Sequence, residues 1–376
     1  MPWKKVSAVD LREEFVMLAG AEGSNVRALC RRYGISPTTG YKWLGRHAAE
    51  GRAGLADRQR RPHGSSGRTV PAMEERIVAL RDRHPAWGGR KLRRRLLDLG
   101  VAAVPSASTI TAVLRRHGRL DAGEAAKHRA VMRFEHAAPN DLWQMDFKGH
   151  FALRAGRCHP LTVLDDHSRF ALGLEACADE RWTTVQARLT ELFRRYGLPW
   201  RILADNGPPW GTDADSRHTP LTIWLLRLDV AVSHGRPYHP QTQGKAERFH
   251  RSLMAELLDR QPLADLDECQ RHFDAWRQVY NAERPHQAIG LQVPLARYRP
   301  SPRPFPETLP AIEYDDADIV RTVDAEGRIS FRNRSFRVTK ALRGYRVALR
   351  HTTEDGRFDV CFGHHPVASI DLGDAP

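Results

Sequence analysis

Apolar residues recur at helical spacing through the first part of the chain and at strand spacing through much of the rest. Leu11, Phe15, Val16 and Leu18 form one helical stripe, and Ser24-Asn25 cap a second helix through Val26, Leu29 and Cys30. Tyr33-Gly34-Ile35-Ser36 reads as a turn in which Gly34 suits a left-handed conformation. Ser36 then caps a third helix, with Pro37 at its first position and Tyr41, Trp43 and Leu44 along it. Gly51 to Arg68 is rich in Gly, Arg, Pro and Ser and reads as a flexible basic linker. A second helical unit runs from Pro71 to His117. Met73, Ile77 and Leu80 make its first stripe, Gly88-Gly89 precede a helix around Leu92, Leu96 and Leu97, and Ser106 or Ser108 caps a helix through Ile110, Val113 and Leu114.

A charged connector covers about Asp121 to His136, and from Asn140 the pattern turns to strands. Alternation in Leu142-Trp143-Gln144-Met145-Asp146-Phe147-Lys148 puts Trp143, Met145 and Phe147 on one face and Gln144, Asp146 and Lys148 on the other. The apolar runs Leu161–Leu164 and Phe170–Leu174 flank Asp165-Asp166-His167-Ser168, which are hairpin-turn residues. A helix through Val185, Leu189, Leu192 and Phe193 stops at Gly197-Leu198-Pro199. The strand Arg201–Asp205 follows, then a helix near Leu221 to Leu228, a strand Val230–Val232, and long helices near Gly244 to Arg260 and Asp267 to Asn281. Strands alternating with helices in this way predict an α/β sandwich on a mixed sheet. Pro294 to Pro310 reads as an extended proline-rich linker, and four short strands after it predict a small β-barrel.

The expected architecture is thus multidomain α+β. Residues 1–50 and 69–120 are helix-turn-helix units separated by the linker 51–68. The connector 121–138 leads to an α/β core at 139–299, and a Pro-rich linker at 300–312 leads to a C-terminal β-barrel at 313–376. In a helix-turn-helix the last helix enters the major groove, so Thr38, Thr39, Lys42 and Arg46 are expected to face DNA while Leu44 packs inward. Ser108, Thr109, Arg115 and Arg116 are the corresponding candidates in the second unit. The bland alternative for each unit is a plain helical bundle. Arg93-Arg94-Arg95 either contacts phosphates or is a solvated face.

The formal charge of +14 over 376 residues, with arginine in every region, suits a phosphate-rich partner. A GC-rich genome accounts for some of the arginine but not for the sign of the imbalance. Five scattered cysteines, with no C-x-x-C pair, support neither a disulfide framework nor a cysteine zinc site. With no apolar run of spanning length and no signal-peptide h-region, the chain reads as a reduced, cytoplasmic protein with no membrane association and no small-molecule cofactor.

Three carboxylates stand in informative contexts. Asp146 is on the polar face of its strand, Asp205 ends a second strand where open α/β sheets place their sites, and Glu247 lies in the first turns of a helix. Acids converging from separate elements suit hard, oxygen-seeking cations. The bland readings are a solvated strand residue for Asp146 and an i,i+4 pair with Arg251 for Glu247. Asp165 and Asp166 are read as structural turn residues. Trp143, Trp182 and Trp224 are read as packing residues, whereas Trp210, beside Asp205, is open between packing and stacking on DNA bases. His234 and His239 lack metal-ligand spacing.

The run from Asn140 to Tyr298 resembles the catalytic core of bacterial insertion-sequence DDE transposases, in the retroviral-integrase superfamily. The matching stretches are Trp143-Gln144-Met145-Asp146, Val163–Arg169, Asp205-Asn206-Gly207, Pro237–Arg248 and Tyr280–His286. The paired helical units and the C-terminal β domain are similar too. The resemblance implies a ribonuclease-H-like core whose triad Asp146, Asp205 and Glu247 binds two Mg²⁺ ions per active site, with Mn²⁺ as a substitute. It implies hydrolysis at transposon ends and transfer of the freed 3′-hydroxyl to target DNA, by a homo-oligomer assembled on double-stranded DNA in the bacterial nucleoid. Lys245, Arg248 and His239 are then candidates for holding the phosphate backbone. A catalytically inactive DNA-binding regulator derived from a transposase is the alternative. The interval from Asp205 to Glu247 exceeds the commonest family spacing, with the excess assigned to Pro208–Thr219, including Asp213, Asp215 and Ser216. The retroviral His-His-Cys-Cys module is missing, and the helical units occupy its place.

Overall fold

In the computed structural model, which describes residues 7–58, 69–120, 135–211, 218–235, 244–260 and 262–373, the chain forms two units divided between Arg68 and Thr69. The first holds α1 (Ala8–Ala19), α2 (Val26–Arg32) and α3 (Pro37–Glu50), followed by a tight helical turn, Gly51–Leu55. Ser7, Asn25 and Ser36 cap the three helices through their side chains. Gly34 has φ +64°, as the turn requires. The core is Phe15, Val16, Cys30, Trp43 and Leu55. Leu55 belongs to the expected linker, yet it is fully buried and its carbonyl accepts from Arg12 Nη1 at 2.7 Å. Linker character therefore does not begin at Gly51. Leu11, Leu18 and Tyr41, expected on apolar stripes, are exposed, because Phe15 and Trp43 fill this small core.

The second unit opens with α4 (Pro71–Arg83), α5 (Gly89–Asp98) and α6 (Ala107–Arg116), the last capped by Ser106. Ile77, Trp87, Leu92, Leu96, Ile110 and Leu114 are buried between them. Val279, from a later helix, packs on this cluster, and Arg95 pairs with Glu283 at 2.5 Å. Arg94 pairs with Asp98 one turn on. Two of the three consecutive arginines are thus engaged within the protein.

A six-stranded sheet follows, with β1 (Trp143–Phe147), β2 (Phe151–Ala152), β3 (Arg157–Asp165), β4 (Ala171–Cys177), β5 (Arg201–Ala204) and β6 (Ala231–His234). β3 pairs antiparallel with β1 and β4, whereas β1–β5 and β5–β6 are parallel. Between strands run α7 (Trp182–Tyr196) and α8 (Pro220–Arg227); α9 (Gly244–Leu253), a π-helical turn (Met254–Leu258) and α10 (Leu266–Ala282) come after β6. Trp143, Met145, Val163 and Ile202 share one core with α7 and α8, while Leu164, Ala171 and Leu174 share another with Phe249 of α9 and Phe273 of α10. Three antiparallel strands, then parallel strands alternating with helices on both faces, make a ribonuclease-H-like core.

After the short helix α11 (Pro294–Arg297), the proline-rich segment is extended but strapped to the core. Leu198 N donates to the Arg303 carbonyl at 2.7 Å, and Phe305 and Leu309 pack against the α7–α8 side of the sheet. The C-terminal strands are β7 (Ile319–Thr322), β8 (Arg328–Phe331), β9 (Arg334–Arg337), β10 (Arg346–His351), β11 (Arg357–Phe362) and β12 (His365–Asp371). They do not form the expected barrel. The sheet β12-β11-β10-β7 is open, and β8–β9 is a separate hairpin. The physical reason lies in α8, whose Ile223 and Leu226 pack into the cluster of Val347, Phe358 and Phe362, so the core supplies cover that closure would otherwise give.

Candidate active site

Register places the first two carboxylates. Parallel pairing sets Trp143 against Ile202 and Gln144 against Leu203. Carried two residues further, it brings Asp146 level with Asp205 on the same face. The odd-numbered neighbours Trp143 and Met145 are buried on the opposite face, and Phe147 stacks on Trp210 at 5.9 Å. Trp210 is itself 2% exposed, which resolves it as a packing residue rather than a base-stacking platform. Trp143 and Trp224 are buried too, but Trp182 is exposed at the start of α7, contrary to expectation, because Val185, Leu189 and Phe193 carry that helix's inner face.

Electrostatics bind these positions together. Burial, followed by the charge of Asp205 and then those of Glu180 and Glu247, pushes the Asp146 carboxyl up to about 7. Asp205 is raised from the ordinary carboxylate range by burial, with Glu180 adding to it; the Gly207 N–H, 3.2 Å from Asp205 Oδ1, and His234 act the other way. His234 Nδ1 lies 2.8 Å from the Asp205 carbonyl oxygen, so it braces the strand end. Among the described residues, no lysine or arginine forms an ion pair with Asp146 or Asp205. Glu180 was not singled out from sequence: it sits after β4, 2.9 Å from His159 Nδ1, and only the fold brings its charge near the aspartates.

Glu247 is exposed in the first turn of α9 and makes no ion pair with Arg251. His250, three residues on and so on a neighbouring face, turns toward the sheet. Its Nε2 is 2.9 Å from Thr162 Oγ1, and its Nδ1 is 4.0 Å from Asp146 Oδ2. Thr162 also donates to the Asp146 carbonyl at 2.9 Å. Burial, with the charge of Lys148, lowers the His250 imidazole to about 4, so it is neutral at physiological pH.

Lys245 is otherwise engaged than expected. Its ammonium pairs with Asp166, which also accepts from Gln144 Nε2 at 2.8 Å and from His136 N at 2.9 Å. Asp165 is fully buried and accepts from Asn140 N and Ser168 N, both at 2.7 Å. Both turn aspartates are structural, as the sequence suggests, and Lys245 is part of that structure. Arg248 is exposed on α9. On α3, Thr38 and Lys42 are exposed, Thr39 bonds Ser36 at 2.9 Å, and the Arg46 guanidinium lies 5.2 Å from the Trp43 ring centre. On α6, Ser108 and Thr109 bond Ser106, Arg116 pairs with Glu74, and Arg115 is exposed. His239, Asp213, Asp215 and Ser216 lie outside the described residues.

Matches to family models cover residues 11–114, 136–294 and 318–375, and one of them runs across the division between Arg68 and Thr69. Family models described as "Integrase core domain" match residues 136–240 and 228–294, and "IS481 family transposase, C-terminal domain" matches 318–375. "Helix-turn-helix domain" matches 11–63 and "Homeodomain-like domain" matches 39–114. The chain is 26% identical over 238 residues to an uncharacterized 39.2 kDa protein of insertion element IS476 from Xanthomonas euvesicatoria, covering 60% of this chain and 64% of that one. It is 27% identical over 157 residues to an uncharacterized 31.7 kDa protein of insertion element IS407 from Burkholderia multivorans, covering 42% and 54%. The chain thus spans less than two thirds of the length of each of these relatives. A solved HTLV-2 integrase catalytic core domain in complex with magnesium aligns with TM-score 0.34 and 16% identity over 43% of this chain and 99% of that one. Among the described residues, no helix is long and apolar enough to cross a membrane.

Proposed function

We propose that this chain, which matches models of the integrase core domain and of the IS481-family transposase C-terminal domain, is an insertion-element transposase whose carboxylate cluster cuts DNA at element ends and joins the freed 3′-hydroxyls to target DNA. The observation that carries this reading is the levelling of Asp146 with Asp205 by the β1–β5 register, with Glu247 close enough for its charge to act on Asp146. Carboxylates crowded together, with no lysine or arginine paired to Asp146 or Asp205 among the described residues, and offering only oxygen donors, fit hard divalent cations. Asp146, Asp205 and Glu247 would hold two Mg²⁺ ions, or Mn²⁺ in their place. When bound, such ions supply Lewis acidity toward the attacking and leaving oxygens of an in-line displacement.

The chain's own residues fix the geometry. Asp146 is held in the β1–β3 ladder opposite Thr162, and Asp205 directly follows β5, the strand paired with β1. Neutral His250 holds Thr162, which in turn holds the Asp146 carbonyl, so the β1–β3 register is braced beside the site. Glu247 is exposed to solvent in the first turn of α9. Water is the nucleophile for end hydrolysis and the 3′-hydroxyl for joining. Exposed Thr38, Lys42, Arg115 and Arg248 are the proposed DNA contacts, in a homo-oligomer that holds two ends.

Asp146→Asn, Asp205→Asn and Glu247→Gln should each abolish Mg²⁺-dependent strand transfer on element-end duplexes while leaving end binding by gel shift within about threefold, because they remove site charge and not the phosphate contacts. Full joining by any one of them would refute the assignment. Joining by none, the wild type included, would favour the inactive regulator.

A further inference from the structure

Asp229 lies in the turn between α8 and β6, ahead of the first residue of β6, whereas Asp205 follows the last residue of the parallel strand β5. The two are therefore at opposite ends of the sheet, separated by roughly 15 Å of strand. Around Asp229 gather His364 and His365, from the hairpin between β11 and β12. His364 Nε2 is 2.7 Å and His365 Nε2 is 3.3 Å from Asp229 Oδ1, and the three ligand atoms all lie within 4.8 Å of one another.

We propose that Asp229, His364 and His365 form a binding site for a transition-metal dication of the zinc type, tying the C-terminal hairpin to the catalytic core. Bonds of about 2.0–2.2 Å to a tetrahedral ion put neighbouring ligand atoms roughly 3.3–3.6 Å apart. The 3.3 Å from His365 Nε2 to Asp229 Oδ1 already has that spacing, and the direct 2.7 Å contact of His364 Nε2 would open by roughly 0.6 Å as the ion takes its place. His365 Nε2 is buried and makes no hydrogen bond, although a carboxylate oxygen lies 3.3 Å away. Arg303 takes the far oxygen, Oδ2, at 3.3 Å and bonds the Asp229 carbonyl at 2.7 Å. It thereby orients the carboxylate so that Oδ1 faces the imidazoles, the part an outer-shell partner plays at a metal centre. A cleft of about 450 Å³, lined also by His136, Asp141 and Trp200, gives solvent access for a water as fourth ligand. Two imidazoles and one carboxylate favour a borderline ion, whereas the oxygen-only triad favours Mg²⁺, so the two sites select different metals.

The test is a Co²⁺ titration of chelator-stripped full-length protein in excess Mg²⁺. Tetrahedral Co²⁺ on nitrogen donors absorbs strongly in the visible, and six-coordinate Co²⁺ on oxygen donors weakly. Expected is an intense band that saturates at one equivalent and is displaced by Zn²⁺. It should weaken roughly tenfold or more in affinity in His364→Ala, His365→Ala and the volume-preserving Asp229→Asn, each checked for native circular dichroism, and persist in Asp146→Asn. Absence of a saturable band, its survival in both histidine variants, or its loss in Asp146→Asn would overturn the proposal.

Discussion

Asp146 retains a proton near neutral pH because burial and the charges of Asp205, Glu180 and Glu247 all oppose its ionisation. Its folded value, about 7, lies above the ordinary 3.8, so the folded state binds more protons than the unfolded state between these limits. The metal-free protein therefore loses stability as pH rises through that window, by at most about 4 kcal/mol from this group. Asp146→Asn should flatten the pH 4–7 slope of denaturant midpoints in chelator and raise stability at pH 8. An unchanged slope would show that the carboxyl titrates normally. Lys245 makes the opposite case. Asp166 is 3% exposed, and against burial its carboxyl is held below the ordinary range by Lys245, by the His136 N–H and by the charge of Arg169. Lys245→Ala should cost about 3 kcal/mol in urea unfolding, as loss of one partner of a buried pair does, whereas a purely DNA-binding lysine would leave the midpoint unmoved. Asp146 and Asp205 were legible because strand alternation and a strand end are local patterns. Glu180 and His250 were not, since their approach depends on how β3 and β4 pair and how α9 crosses them.

At the scale of elements, the stretch Tyr280–His286 shows what a recognisable motif does physically. Asn281 lies on α10, and its amide both accepts from Ala171 N at 2.8 Å and donates to Ala171 O at 3.0 Å, pinning the start of β4. Tyr280 packs edge-on to Phe249, and Arg284 pairs with Glu256 at 2.9 Å. Asn281→Ala leaves two backbone groups unsatisfied in a buried place and should cost about 2–4 kcal/mol, with amide exchange at Ala171 accelerating before the rest of the sheet. Uniform exchange across the sheet would assign the asparagine a different role. Helix caps and strand cores were readable because Ser36, Ser106 and the β1 alternation act within a few residues. The open C-terminal sheet was not readable. β7 and β12 carry no strong pattern of their own, and the cover for the sheet comes from α8, more than ninety residues earlier in the chain.

Over the whole molecule, the charge of +14 is spread across both units and is only partly consumed by internal pairs such as Arg95–Glu283 and Arg116–Glu74. Binding to duplex DNA should therefore fall steeply with salt, with log affinity against log salt sloping at roughly −5 or steeper if six or more phosphates are neutralised. A slope near −1 by fluorescence anisotropy would mean that most of the basic surface never meets DNA.

Helix α8 is buried on all sides. Trp224 and Leu225 face the six-stranded sheet, and Ile223 and Leu226 face the C-terminal one. A single eight-residue segment is thus the shared inheritance of two domains. Chimeras between relatives that splice in the proline-rich strap would graft a foreign C-terminal sheet onto an α8 face shaped for another partner. Crossovers that carry α8 together with the C-terminal strands would keep that fit, at the cost of a new seam with the six-stranded sheet. Recombination therefore has no clean joint here, and the two domains are constrained to diverge together.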